Sequence, residues 1–163
     1  MKTTLRALIL LLVVLWLGGV MFFPIVAASA FGTISDTHAA GTIVAKCLRV
    51  LHYEGLFAGS LIVLLLLVAQ AVRAVPRSVA APVIVTLIML GLTAYSQFSI
   101  IPRMESDRRA EGGAINLQDR ENPHTVDFNK LHRLSEKTEQ GVLIGGIVLV
   151  VLLAVGPKIT APR

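Results

Sequence analysis

Charge is what this chain has least of. Only 15% of its 163 residues are Asp, Glu, Lys or Arg, and 55% are hydrophobic. An ordinary soluble domain carries about 25% charged residues. The shortage argues against a disordered chain and against a soluble globular domain. Cysteine is nearly absent too. Cys47 stands alone, which excludes an intrachain disulfide, a CxxC redox pair and a multi-cysteine zinc site. G-x-S-x-G, HExxH, HxxxH and the glycine-rich nucleotide loops are all missing, so no catalytic signature is written along the chain. The period-2 alternation of membrane-barrel strands is missing as well. No apolar run carries a charge at its centre, as proton-driven transporters often do.

What is present is a set of four apolar runs: Ala7 to Ala30, Gly55 to Val72, Ala80 to Ile101, and Gly141 to Val155. A bilayer-crossing helix needs about 20 apolar residues. The first three runs reach that length. The fourth extends backwards through an amphipathic stretch, residues 127–140, in which Phe128, Leu131, Leu134 and Thr138 form an apolar stripe at helical period. The pattern predicts an all-α integral membrane four-helix bundle made of two helical hairpins. Residues 1–163 form a single transmembrane domain, with helices over 5–30, 40–73, 80–101 and 126–156 and a polar outer loop over 102–125. The first run has a rival reading as a cleaved signal, with Lys2 and Arg6 before it and Ala28-Ser29-Ala30 after it. It exceeds the roughly 7–15 apolar residues of a secretory signal, and a retained helix is favoured. Pro24 is expected to kink this helix late in its span.

The formal charge of +5 reflects lysine and arginine at membrane boundaries, not a nucleic-acid partner, since no nucleic-acid motif accompanies it. With four spans, both termini share a side with the Arg73 to Val79 link. That side holds six Lys/Arg and no acid; the other holds nine Lys/Arg and all ten acids. Lys2, Arg6, Arg73 and Arg77 sit at the membrane ends without acidic neighbours, which places both termini in the cytoplasm.

Lipid offers no hydrophobic drive for helix association, so small residues mark close backbone contact. Gly55/Gly59 and Gly141/Gly145 each form a GxxxG. Packing within one bundle is the favoured reading; the alternative is a homodimer or a membrane-protein partner seated on the same glycines. Two Leu-His pairs, Leu51-His52 and Leu131-His132, open the second and fourth helices and hint at a repeat of two parallel hairpins.

The most specific polar assembly is Arg49, His52, Arg103, Asp127 and His132 on the outer side. Its basic members read first as boundary residues, snorkelling or paired, with Asp127 facing Arg103 or Arg49. Gln70, Thr93 and Gln97 are the most polar residues within the runs and are expected to hydrogen-bond inside the bundle. The sharper reading gives His52 and His132 a metal or haem iron, because two histidines on different helices of a bundle can ligate one. Cys47 and Met104 lie on the same side and suit copper. Against it stands a depth mismatch of about 9 Å between the two histidines, from 1.5 Å of rise per residue. Three functions compete: a non-enzymatic membrane protein whose outer cluster binds a small ligand or partner, a metal- or haem-binding protein of copper handling or electron transfer, and an accessory membrane subunit.

Leu15-Trp16-Leu17-Gly18-Gly19 followed by Phe22-Phe23, then Leu51-His52-x-x-Gly55, then Pro102-Arg103-Met104, then Asp127-Phe128-x-x-Leu131-His132-x-x-Ser135 resemble the bacterial relatives of transmembrane protein 205. That resemblance implies a four-helix membrane domain of unknown function, retention of the first helix and a bacterial inner-membrane setting. The four-helix layout with outer histidines is also similar, at the level of fold alone, to copper-resistance membrane domains of the CopD type and to bacterial protoporphyrinogen oxidase.

Overall fold

The computed structural model describes residues 2–73, 78–113, 115, 119 and 121–154. Five α-helices and one π-helical turn build it: α1 (Lys2–Thr33), α2 (Thr37–Ala71), α3 (Ala80–Tyr95), the π turn (Ser96–Ile100), α4 (Ile101–Ala110) and α5 (Pro123–Ala154). α3, the π turn and α4 run on as one rod, so four helices are long and apolar enough to cross a membrane. The protein is an integral membrane four-helix bundle.

Polar residues start and join the helices. Asp36 caps α2 by accepting from the backbone N–H of His38 and Ala39, at 2.9 and 3.2 Å. Its β-region backbone leaves the side chain free to reach those otherwise unpaired donors. Asn122 does the same for α5, accepting from the His124 N–H at 2.9 Å, while Pro123 opens the helix where an N–H is not needed. Gln70, isolated in an apolar run, accepts from the Val79 N–H at 3.1 Å and ties the end of α2 to the start of α3.

The expected helix ends shift by two or three residues, and one boundary moves further. Residues 102–110 belong to a helix, not to the outer loop over 102–125. Pro102 falls where the π turn passes into α4, inside one continuous rod. Beyond it Glu105 pairs with Arg108 at 3.7 Å and Arg109 at 3.4 Å, one turn along. The expected end of the last helix, at 155–156, lies outside the described residues.

The bundle closes as a ring: α1 packs on α2 and α5, and α3 packs on α2 and α5. α2 and α5 therefore stand diagonally opposite. Ile9, Val13, Trp16 and Val20 of α1 repeat at three- and four-residue spacing and meet Ala58, Ile62 and Leu66 of α2, Met89 of α3 and Val142 and Leu149 of α5. The outward residues are just as apolar: Leu11, Val14, Phe57 and Ile144 are all exposed. In water such a surface is untenable; in a bilayer, lipid tails cover it.

The glycines carry the closest contacts. A Cβ on Gly59 would lie 2.6 Å from the Trp16 ring, and one on Gly55 would overlap the edge bearing the indole nitrogen. Trp16 thus lies in the trough of the first GxxxG. In the second, a Cβ on Gly141 would come 2.9 Å from Leu92, and one on Gly145 2.7 Å from Met89. Both motifs are filled from within the chain. α1 is integral to this packing, and it remains helical through Pro24 to Thr33.

Candidate functional site

A polar layer crosses the bundle above this core. His52 of α2 is 1% exposed and uses both ring nitrogens. Its Nδ1 lies 3.1 Å from Oε1 of Gln97. Its Nε2 lies 2.6 Å from Oε1 of Glu139, which closes the diagonal between α2 and α5. Ser96, Thr93, Ser135 and Thr138 are also buried. Thr138 donates to the carbonyl of Ser135 at 2.7 Å, whereas Ser96 Oγ has no hydrogen-bond partner among the described residues.

The π turn places Gln97. A π turn accommodates one residue more than an α-helical turn, and such turns recur at functional sites. Here Ser96, Gln97 and Ile100 are buried within it, while Phe98 stays outside, edge-on to Tyr53 at 6.5 Å.

The geometry constrains the protons. Gln97 Oε1 and a Glu139 carboxylate oxygen are both acceptors. Satisfying both needs a proton on each ring nitrogen of His52, which makes an imidazolium–carboxylate pair. Turning the Gln97 amide lets it donate to Nδ1, and a neutral His52 then donates to Glu139 alone. Glu139 is 19% exposed, so the sealed histidine reaches the surface of the bundle through this carboxylate.

The residues singled out from sequence are dispersed. Only His52 lies in the buried layer. Arg103 and Asp127 meet at 3.2 Å in an exposed pair. Such pairs contribute roughly 0.2–1 kcal/mol, enough to steady α4 against α5 and little more. Arg49 is exposed on α2. His132 is 57% exposed, 3.4 Å from Glu136 on its own helix, and stacks on Phe128 with ring centres 6.3 Å apart. The structure does not bring His52 and His132 together: Glu139, two turns further along α5, takes the place opposite His52. A metal at His52 would have to displace Glu139 or Gln97, and no group of three His, Cys, Asp or Glu side chains converges among the described residues. These residues do not fit a haem or copper site shared by the two histidines.

Glu139 was not singled out from sequence. Its signal is faint: it follows Ser135 by four residues and precedes Val142 by three, on the edge of the buried stripe of α5. A second polar contact joins the helix ends, His124 Nδ1 to Asp107 Oδ1 at 3.0 Å.

Comparison with known proteins adds one finding. A family model, domain of unknown function DUF4149, matches residues 11–111. The matched segment carries Trp16, Gly55, Gly59, His52 and Gln97, and stops before α5 and Glu139. No curated protein and no solved structure matches the chain.

Proposed function

Because the chain belongs to the DUF4149 family of unknown function, we propose a role read from its own residues: a non-enzymatic multi-pass membrane protein that binds a small hydrogen-bonding ligand at the His52–Glu139–Gln97 cluster. One observation carries this reading. A histidine sealed inside a membrane bundle is joined at 2.6 Å to a carboxylate that reaches the surface. Ionisable groups among membrane spans are costly to bury and mark ligand sites or proton relays. A ligand with one donor and one acceptor could exchange with Glu139 at Nε2 while Gln97 continues to hold Nδ1. Arg49, Arg103, Asp127 and His132 form the polar approach on the same side of the bundle.

Native mass spectrometry of protein extracted in mild detergent, with elemental analysis of the same sample, tests it. A small molecule is expected on the wild type and absent from Glu139→Gln and from His52→Gln. A protein with nothing bound would overturn the reading. Stoichiometric copper or iron, lost with His52, would replace it by metal binding.

The setting is part of the proposal. The likeness to bacterial relatives of transmembrane protein 205 supports a bacterial inner membrane. The acid-free basic residues Lys2, Arg6, Arg73 and Arg77 support a cytoplasmic location for both termini. A phosphatase reporter, active only outside the cytoplasm, is expected to be silent when fused after Arg163. It should be active when inserted at Gly112. The reverse pattern would invert the topology.

A further inference from the structure

A second carboxylate lies outside the buried layer. Glu54, two residues beyond His52, points to another face of α2, towards α1. A shallow open groove of about 250 Å³ runs there between the two helices, with Phe22, Phe23 and Val26 on one wall, Val50 and Leu51 on the other, and Glu54 among its lining residues. Phe22 and Val50 are 59% and 69% exposed, so the groove opens on the lipid-facing side of the bundle. Gly19 lets the two helices approach here: a Cβ there would lie 2.7 Å from Leu51 Cδ1, with Glu54 Oε2 next nearest at 3.4 Å. The other oxygen, Oε1, is shielded from solvent and has no hydrogen-bond partner among the described residues.

A shielded acceptor without a donor is costly to maintain. No ion pair compensates Glu54 among the described residues, and the rest of the lining is apolar apart from Cys47. A metal cation does not suit the groove: hard cations want six or more oxygens, and the groove supplies one carboxylate. An organic cation suits it on every count. Its charge meets the carboxylate, its body replaces lipid against Val26, Val50 and Leu51, and the Phe22 and Phe23 rings attract cations through their faces. We propose that the α1–α2 groove binds a lipophilic monovalent organic cation that arrives from the bilayer, with Glu54 as its counter-ion.

The test uses the full chain in nanodiscs and two ions of the same shape and opposite charge, tetraphenylphosphonium and tetraphenylborate. Saturable binding of the phosphonium is expected, with no saturable binding of the borate. Glu54→Gln, which keeps size and removes charge, should weaken phosphonium binding at least about tenfold, the weight of one charge contact. Val50→Trp, which fills the groove from its exposed wall and leaves Glu54 intact, should weaken it similarly. Occupancy can be located without either variant. The chain's single cysteine, Cys47, lines the groove, so phosphonium should slow its alkylation by N-ethylmaleimide and borate should not. Equal binding of the two ions, or phosphonium binding untouched by both substitutions, would overturn the proposal. So would unchanged alkylation at saturating phosphonium.

Discussion

Replacing Glu139 by leucine is expected to destabilise the bundle by about 1–3 kcal/mol, the usual cost of leaving a buried polar atom without its partner. Replacing His52 and Glu139 together by leucine should restore most of that loss. The asymmetry is physical. The single change leaves an imidazole that is 1% exposed facing an apolar side chain, with its Nε2 neither paired nor hydrated. The double change removes both polar groups and substitutes dispersion contacts. Hydrogen bonds between membrane helices average only about 0.6 kcal/mol in double-mutant cycles, because the alternative state also finds partners. The larger figure is expected here because the contact is short and Gln97 holds the ring from its other side. Reversible unfolding in mixed micelles, followed by circular dichroism, measures both variants. A single-variant cost below about 1 kcal/mol, with the pair simply additive, would reduce the contact to an ordinary neutral hydrogen bond.

The second large effect belongs to Trp16. Truncation to alanine is expected to cost about 3–5 kcal/mol, the range for large aromatic cores. Lipid tails compete equally well for apolar surface, so the loss is one of fitted contact and not of water exclusion. Gly55→Leu should cost at least as much, because its side chain would have to occupy the space of the indole. Combining Trp16→Ala with Gly55→Leu should give a protein more stable than Gly55→Leu alone. All three nearest atoms to a Cβ at Gly55 belong to Trp16, so the leucine can enter the space that the indole leaves. Strictly additive costs would show that the indole does not fill the glycine trough. The same unfolding assay decides it.

The four spans are legible in the sequence because each apolar run reports its own solvent. The boundary at residue 102 is not. Proline reads as a stop, and only the structure shows the rod running on through it as α4. The π turn leaves no mark either: Ser96–Ile100 has ordinary helix-compatible composition, and its extra residue is defined by backbone bonding. The glycine motifs are legible as close contacts, but not as contacts with Trp16, Leu92 and Met89. A run states which face of a helix is small; the order of helices around the ring states what meets it. The same limit explains the site. His52 and Gln97 stand out as polar residues at the edge of or within apolar runs. Pairing His52 with His132 is a natural expectation from two similar Leu-His motifs. Depth along α5 decides otherwise, and the residue at the right depth, Glu139, looks from sequence like one more charge on an amphipathic helix. That Asp127 meets an arginine is legible because Arg49, Arg103 and Asp127 all flank the membrane boundary; which arginine it meets is set by the packing of α4 on α5.

The His52–Glu139 contact joins residues 87 positions apart, on α2 and on α5. While the ribosome is still delivering α3 and α4, Nε2 of His52 has no Glu139 to meet, and the diagonal of the bundle stays open. Arrival of α5 closes it in one step. Closure of the polar layer thus waits for α5. A chain halted before α5 keeps Gln97 at Nδ1 of His52 and leaves Nε2 with no partner from α1, α2 or the α3–α4 rod.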